Sequence, residues 1–149
     1  MRSPAFVDAN IPIYAGGRPH PLKEPCAQVV LLIAAQPEAF FTDAEVLQEL
    51  IHVYLARNQR ADAQAAVGHF AILMGSRVEP MYADDVKAAS RLADQYTQLS
   101  ARDLIHLAVM MRVGANQIVS ADRGFDGIAG LQRLDPADVA SWRGQIVAS

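Results

Sequence analysis

One cysteine, no excess of basic residues and no long apolar run mark this sequence, and each shortage closes a class of function. Cys26 has no partner for an internal disulfide, which fits a reducing compartment, the cytoplasm. No ligand-like spacing surrounds it, so no zinc site is expected. The formal net charge is -3, so bulk positive charge does not hold nucleic acid here, as it does in domains with a pI above about 9. Bound divalent ions would change that local balance, and nucleic-acid binding through a metal stays open. No stretch approaches the roughly 20 apolar residues that span a bilayer. The start lacks the charged, apolar and small-residue segments of a secretory signal, so neither a membrane nor an export role is expected. No G-x-S-x-G elbow or dinucleotide glycine fingerprint is found, and Gly16-Gly17 lacks the Lys-Ser/Thr of a phosphate loop.

What is present suits a core. The 149 residues are 52% hydrophobic, enough for one domain spanning 1–149, and there is no linker, repeat or low-complexity tract. Strands are expected at Ala5 to Val7, Phe40-Phe41, Arg77 to Met81, Gln117 to Ser120 and Leu131 to Leu134. A turn or brief helix covers Asn10 to Ala15, and prolines including Pro25 mark an irregular loop before a helix at Ala27 to Ala35. Thr42 with Glu45 reads as a capping box opening a helix to about Arg57. Further helices are expected at Ala61 to Met74, Ala83 to Tyr96 and Ser100 to about Val113, the last ended by Gly114. Short apolar strands alternating with helices predict an α/β fold with a parallel sheet covered on both faces.

Four acids stand out. Asp8 follows the first strand and Asp122 follows Ile118 to Ser120, and ligands of open parallel sheets bind beyond such carboxyl ends. Asn10 could supply a neutral oxygen or a donor beside Asp8. At about 100° per residue, Glu49 borders the apolar stripe of Val46, Leu50 and Val53. Asp103 occupies the first turn of a helix that is apolar nearly all round, and it also completes a capping box with Ser100. Each has an ordinary reading as a turn residue, a cap or a solvated helix residue. Together they suggest a cleft of carboxylates, which is costly to bury without a cation. His20, His52 and His69 read as loop or surface residues, and His106 as a satisfied core histidine.

At these residues the sequence resembles PIN domains, and specifically the VapC-type toxins of bacterial toxin–antitoxin pairs. The matching segments are Phe6-Val7-Asp8-Ala9-Asn10, Glu45 to Leu50, Ser100 to Ala108 and Val119 to Asp126, in order over almost the whole chain. The resemblance implies a three-layer sandwich around a central parallel sheet. It makes Asp8, Glu49, Asp103 and Asp122 the catalytic acids, with Asn10, Ser120 and Asp126 supporting them. It implies a Mg²⁺- or Mn²⁺-dependent ribonuclease, homodimeric and held inactive by a cognate antitoxin.

Mg²⁺ takes oxygen ligands and keeps several waters. Asp8 and Asp103 are therefore expected as principal ligands, with Asp122 and Glu49 completing the site directly or through water. Arg18, Lys23, Arg57, Arg60 and Arg123 are candidates for contact with RNA. The early helices are expected to cover the sheet or to offer a groove to an antitoxin helix. Two alternatives share the fold: a catalytically silent module that binds RNA or protein, and a DNA-directed metal nuclease. A receiver domain is disfavoured, since no lysine follows Lys87 and no acid pair follows Val7.

Overall fold

The computed structural model describes residues 3–147. Residues 1, 2, 148 and 149, included in the 1–149 span expected of the domain, lie outside the described residues. Five strands form one parallel sheet: β1 Ala5–Val7, β2 Phe40–Asp43, β3 Val78–Glu79, β4 Gln117–Val119 and β5 Gln132–Leu134, in the order β3-β2-β1-β4-β5. Among the described residues seven α-helices connect and cover them: α1 Asn10–Ala15, α2 Lys23–Ala35, α3 Ala44–Ala56, α4 Arg60–Met74, α5 Ala83–Leu92, α6 Ala101–Val113 and α7 Val139–Val147. Every residue of β1 and β2 is buried, as strands covered on both faces must be.

Register ties the sheet to the core. Phe6 sits opposite Phe41 on one side and Ile118 on the other, and its ring meets Phe41 edge-on at 5.4 Å. The chain builds β1, β2 and β3 outward in one direction, then crosses back to place β4 and β5 on the other side of β1. The connections that leave the carboxyl ends of β1 and β4 therefore run in opposite directions along the sheet, a topological switch point where open parallel sheets leave a crevice.

Local chemistry departs from expectation in several places. Thr42 belongs to β2, and its hydroxyl donates to the Val7 carbonyl at 2.9 Å. Asp43 caps α3 instead: its backbone is extended and its Oδ1 accepts from the Val46 N–H at 3.0 Å. The helix after β3 stops at Leu92 rather than Tyr96. Pro25 lies in the first turn of α2, where a missing N–H leaves no intrahelical bond unmade. A further helix, α7, packs back on α2 through a chain end not anticipated as helical. At α6, Ser100 Oγ accepts from the Asp103 N–H at 3.2 Å, and Gly114 ends the helix at φ 75°, where a glycine carries no steric cost.

Candidate active site

Asp8 leaves β1 buried, and three groups fix its carboxylate. The Ala9 N–H donates to Oδ1 at 2.8 Å, while Ser120 Oγ and Asn10 Nδ2 donate to Oδ2 at 2.6 and 3.2 Å. Ser120, fully buried at the end of β4, also accepts from Asn10 Nδ2 and from the Asp122 N–H. Asn10 closes the link by accepting from the Ala121 N–H at 3.2 Å. Asn10 and Ser120 thus pin the ends of β1 and β4 together around one acid. Burial pushes the Asp8 carboxyl up to about 6; His106 and Ser120 pull it down, and Glu49 and Asp103 push it up again.

Glu49 reaches the same place from α3. Its Oε2 lies 3.2 Å from His106 Nε2, and the other ring nitrogen lies 2.8 Å from Asp43 Oδ2. One ligand atom from each of Asp8, Glu49 and His106 falls within 4.8 Å of the others. His106 is fully buried against the Phe6 ring, at 5.0 Å between centroids. Burial alone would lower its pKa, yet the bonds to Asp43 and Glu49 and the charges of Asp43 and Asp8 raise it well above the usual histidine range. The imidazole sits beneath an acidic cluster that favours its protonated form.

Asp103 and Asp122 border this trio rather than join it. Burial raises Asp103; Ser100 lowers it, and the charges of Asp122 and Glu49 raise it further. Asp122, more exposed, caps the short turn Arg123–Phe125 by accepting from the Gly124 N–H at 2.8 Å. A Cβ at Gly124 would stand 3.1 Å from Asp122 Oδ1, so glycine gives that carboxylate its room. Asp126 points elsewhere, accepting from Arg133 at 2.8 and 3.3 Å. Arg133 in turn donates to the Ser120 carbonyl at 3.0 Å, which braces the loop from behind.

Of the basic residues, Lys23 is engaged with the Gly17 carbonyl. Arg18 and Arg57 line one pocket with Tyr14 and His20, whose rings meet tilted at 32° with centroids 4.6 Å apart.

Asp43 is the site residue that sequence reasoning missed, and His106 the one it left as a core residue. The spacing of Asp103 and His106, three apart on one helix, put both on neighbouring positions of one face; nothing local pointed to Asp43 as the partner.

Two carboxylates, Asp8 and Glu49, converge beside His106 with Asp103 and Asp122 at the border, and the Asp8 carboxylate is desolvated with its charge only partly compensated; oxygen donors of this kind suit a hard cation. This acidic cluster could bind a metal ion.

The PIN domain model matches residues 5–131. Ribonuclease VapC13 of Mycobacterium tuberculosis is 39% identical over 131 residues, 87% of this chain and 98% of that protein. Ribonuclease VapC7 of the same organism is 35% identical over 134 residues, 87% of this chain and 90% of that one. Among solved structures, M. tuberculosis VapC20, a sarcin–ricin loop cleaving toxin, superposes with a TM-score of 0.65 at 22% identity, covering 85% of this chain and 98% of its own. VapBC2 from Rickettsia felis, bound to a DNA fragment from their promoter, gives 0.65 at 16% identity, covering 88% and 98%. A family model over most of the chain and relatives 39% and 35% identical agree: the chain belongs to the PIN-domain family and, within it, to the VapC proteins.

Proposed function

We propose that this chain is a Mg²⁺-dependent endoribonuclease, the toxin of a toxin–antitoxin pair, built as a single nuclease domain with Mn²⁺ as a working substitute. The observation that carries this reading is the buried Asp8 carboxylate at the β1–β4 switch point, facing Glu49 with Asp103 and Asp122 at its border. The two relatives above, both named ribonucleases, support it.

Asp8, Asp103 and Asp122 would hold the cation, with Glu49 completing the set directly or through water. A bound divalent ion supplies an easily deprotonated water and offsets charge on the scissile phosphate. The protein's part is placement. Ser120 and Asn10 keep one oxygen of Asp8 occupied, which leaves the carboxylate a fixed direction toward the cleft. Asp126 acts indirectly, through Arg133 and the loop that carries Asp122.

The test is cleavage of RNA in Mg²⁺, in EDTA, and by Asp8→Ala, with a matched DNA strand beside it. Cleavage of RNA alone, lost with EDTA and reduced at least about 100-fold by Asp8→Ala, is expected. Undiminished cleavage in EDTA or by the variant would remove the mechanism, and equal cleavage of DNA would remove the substrate assignment.

The partner reading rests on a groove of about 600 Å³ lined by Pro12, Ala15, Val30, Tyr54, Phe70 and Leu73. It lies between α1, α2, α3 and α4, and it suits the apolar face of an antitoxin helix. Co-purification with a co-expressed antitoxin, weakened by Leu73→Glu, is the expected result. Exposed Met81, Tyr82, Val86 and Met111 lie on or beside the packed pair α5 and α6 and support a homodimer through that face; light scattering on the purified chain reads this directly. Among the described residues no helix is long and apolar enough to cross a membrane; an RNA substrate and an antitoxin partner support action in the cytoplasm.

A further inference from the structure

Glu49 differs from the other acids of the cluster in how it is held. Asp8 has three donors, Asp122 has the Gly124 N–H, and Asp103 belongs to the Ser100 cap. Among the described residues the Glu49 carboxylate has a single hydrogen-bond partner, His106 Nε2 at 3.2 Å. Glu49 is also the longest and freest of the four side chains, so without that bond its oxygens would sweep through several rotamers.

The ring that holds it cannot turn. Its Nδ1 is 2.8 Å from Asp43 Oδ2, and Asp43 is immobilised by burial and by accepting the Val46 N–H through its other oxygen. Phe6 packs against the ring. Asp43 and Glu49 lie six residues apart on the start and second turn of α3, and one side chain of α6 clamps both. His106 is fully buried, whereas the Glu49 side chain keeps 17% of its surface in contact with solvent. The carboxylate therefore stands between the ring and the cleft.

We propose that His106 is a positioning residue: braced by Asp43, it fixes the Glu49 carboxylate in the orientation that faces Asp8 across the cation site. This rests on the metal reading above, and it assigns His106 no contact with the ion. Groups that orient metal ligands in this way commonly change metal affinity by about 10- to 100-fold when removed.

Asparagine and glutamine separate this role from a structural one, because each keeps one half of the clamp. The amide of His106→Asn reproduces the Nδ1 position and keeps Asp43 while losing Glu49. The amide of His106→Gln reproduces the Nε2 position and keeps Glu49. Mn²⁺ affinity, titrated by electron paramagnetic resonance on full-length protein whose folding is checked by circular dichroism, is expected to fall about 10- to 100-fold in His106→Asn and to stay within about threefold of the unaltered chain in His106→Gln. In a Glu49→Gln background, His106→Asn is expected to add no further loss. Equal affinities in the two folded variants, or additive losses, would overturn the proposal.

A second measurement needs no variant. Mn²⁺ bound to the unaltered chain is expected to show no ¹⁴N coupling in its electron spin echo, and a directly bonded nitrogen would make His106 a ligand and end the positioning role. Asp8→Ala separates the two levels. If it binds Mn²⁺ normally, the metal site itself is wrong; if it does not, while His106→Asn binds as the unaltered chain does, only the role of His106 fails.

Discussion

Ser120 Oγ donates to Asp8 Oδ2 across 2.6 Å, joining two residues 112 positions apart at the ends of neighbouring strands. The bond makes the charged form of Asp8 tolerable in a place where burial opposes it.

That opposition has a sign. The Asp8 carboxyl is raised from 3.8 to about 6, so between those values the metal-free folded state binds more protons than the unfolded one. Its contribution to stability is greatest at the acid end and falls as pH rises toward 6. A cation needs the ionised form. Added Mg²⁺ is therefore expected to raise the melting temperature little at pH 5 and clearly at pH 7.5. Ser120→Ala removes a bond that lowers the Asp8 pKa, so the onset of Mg²⁺ stabilisation should move to higher pH. Thermal melts with and without Mg²⁺ across this range check both statements.

Asp85 shows the opposite case away from the site. Burial alone would raise it, but Arg112, at 2.9 and 3.2 Å, and the Tyr82 N–H bring it below the usual range. This stabilisation is present above about pH 4 and is lost as pH falls through the lowered value. Arg112→Leu is expected to cost about 2 kcal/mol at pH 7, since it leaves a buried carboxylate without its partner. Urea midpoints of the two proteins should converge as pH is lowered to 2.5.

Trp142, the single tryptophan, is buried and donates from Nε1 to the Asp135 carbonyl at 2.8 Å. Trp142→Phe should cost about 1 kcal/mol through that lost bond. In the unaltered chain, Trp fluorescence reports α7, and its denaturation curve is expected to coincide with circular dichroism at 222 nm. An earlier fluorescence transition would show α7 detaching before the sheet unfolds.

Asp126 and Arg133 have unequal roles. Arg133 is nearly buried and serves Asp126, Asp135 and the Ser120 carbonyl, whereas Asp126 is largely exposed. Arg133→Ala is expected to destabilise by about 2 kcal/mol and Asp126→Asn by clearly less, because solvent screens the exposed carboxylate. Chemical denaturation of the two variants distinguishes them.

The acids at strand ends were legible because their chemistry is local: Asp8 and Asp122 each follow a short apolar run that only a strand explains. Parallel pairing followed from the alternation of elements, whereas the order β3-β2-β1-β4-β5 did not, since alternation alone leaves the crossover open. Choosing between Thr42 and Asp43 as the cap was not possible locally, because either residue type caps a helix. A carbonyl 35 residues away decides it, by taking the Thr42 hydroxyl. His106 was opaque for the same reason, its two partners lying 63 and 57 positions away. In α7, Val139, Trp142 and Ile146 do fall at helical spacing, but Pro136 stands just before the run and Gly144 within it, which blurs the signal.

Parallel strands that place Phe6 between Phe41 and Ile118 also decide which way Asp8 looks. Sliding β1 by a single position would turn every one of its side chains over. The carboxylate would leave the crevice in the same movement that drove Phe6 out of its contacts. A mispaired chain thereby loses its core contacts and the placement of Asp8 together, so any molecule able to persist carries Asp8 aimed into the crevice.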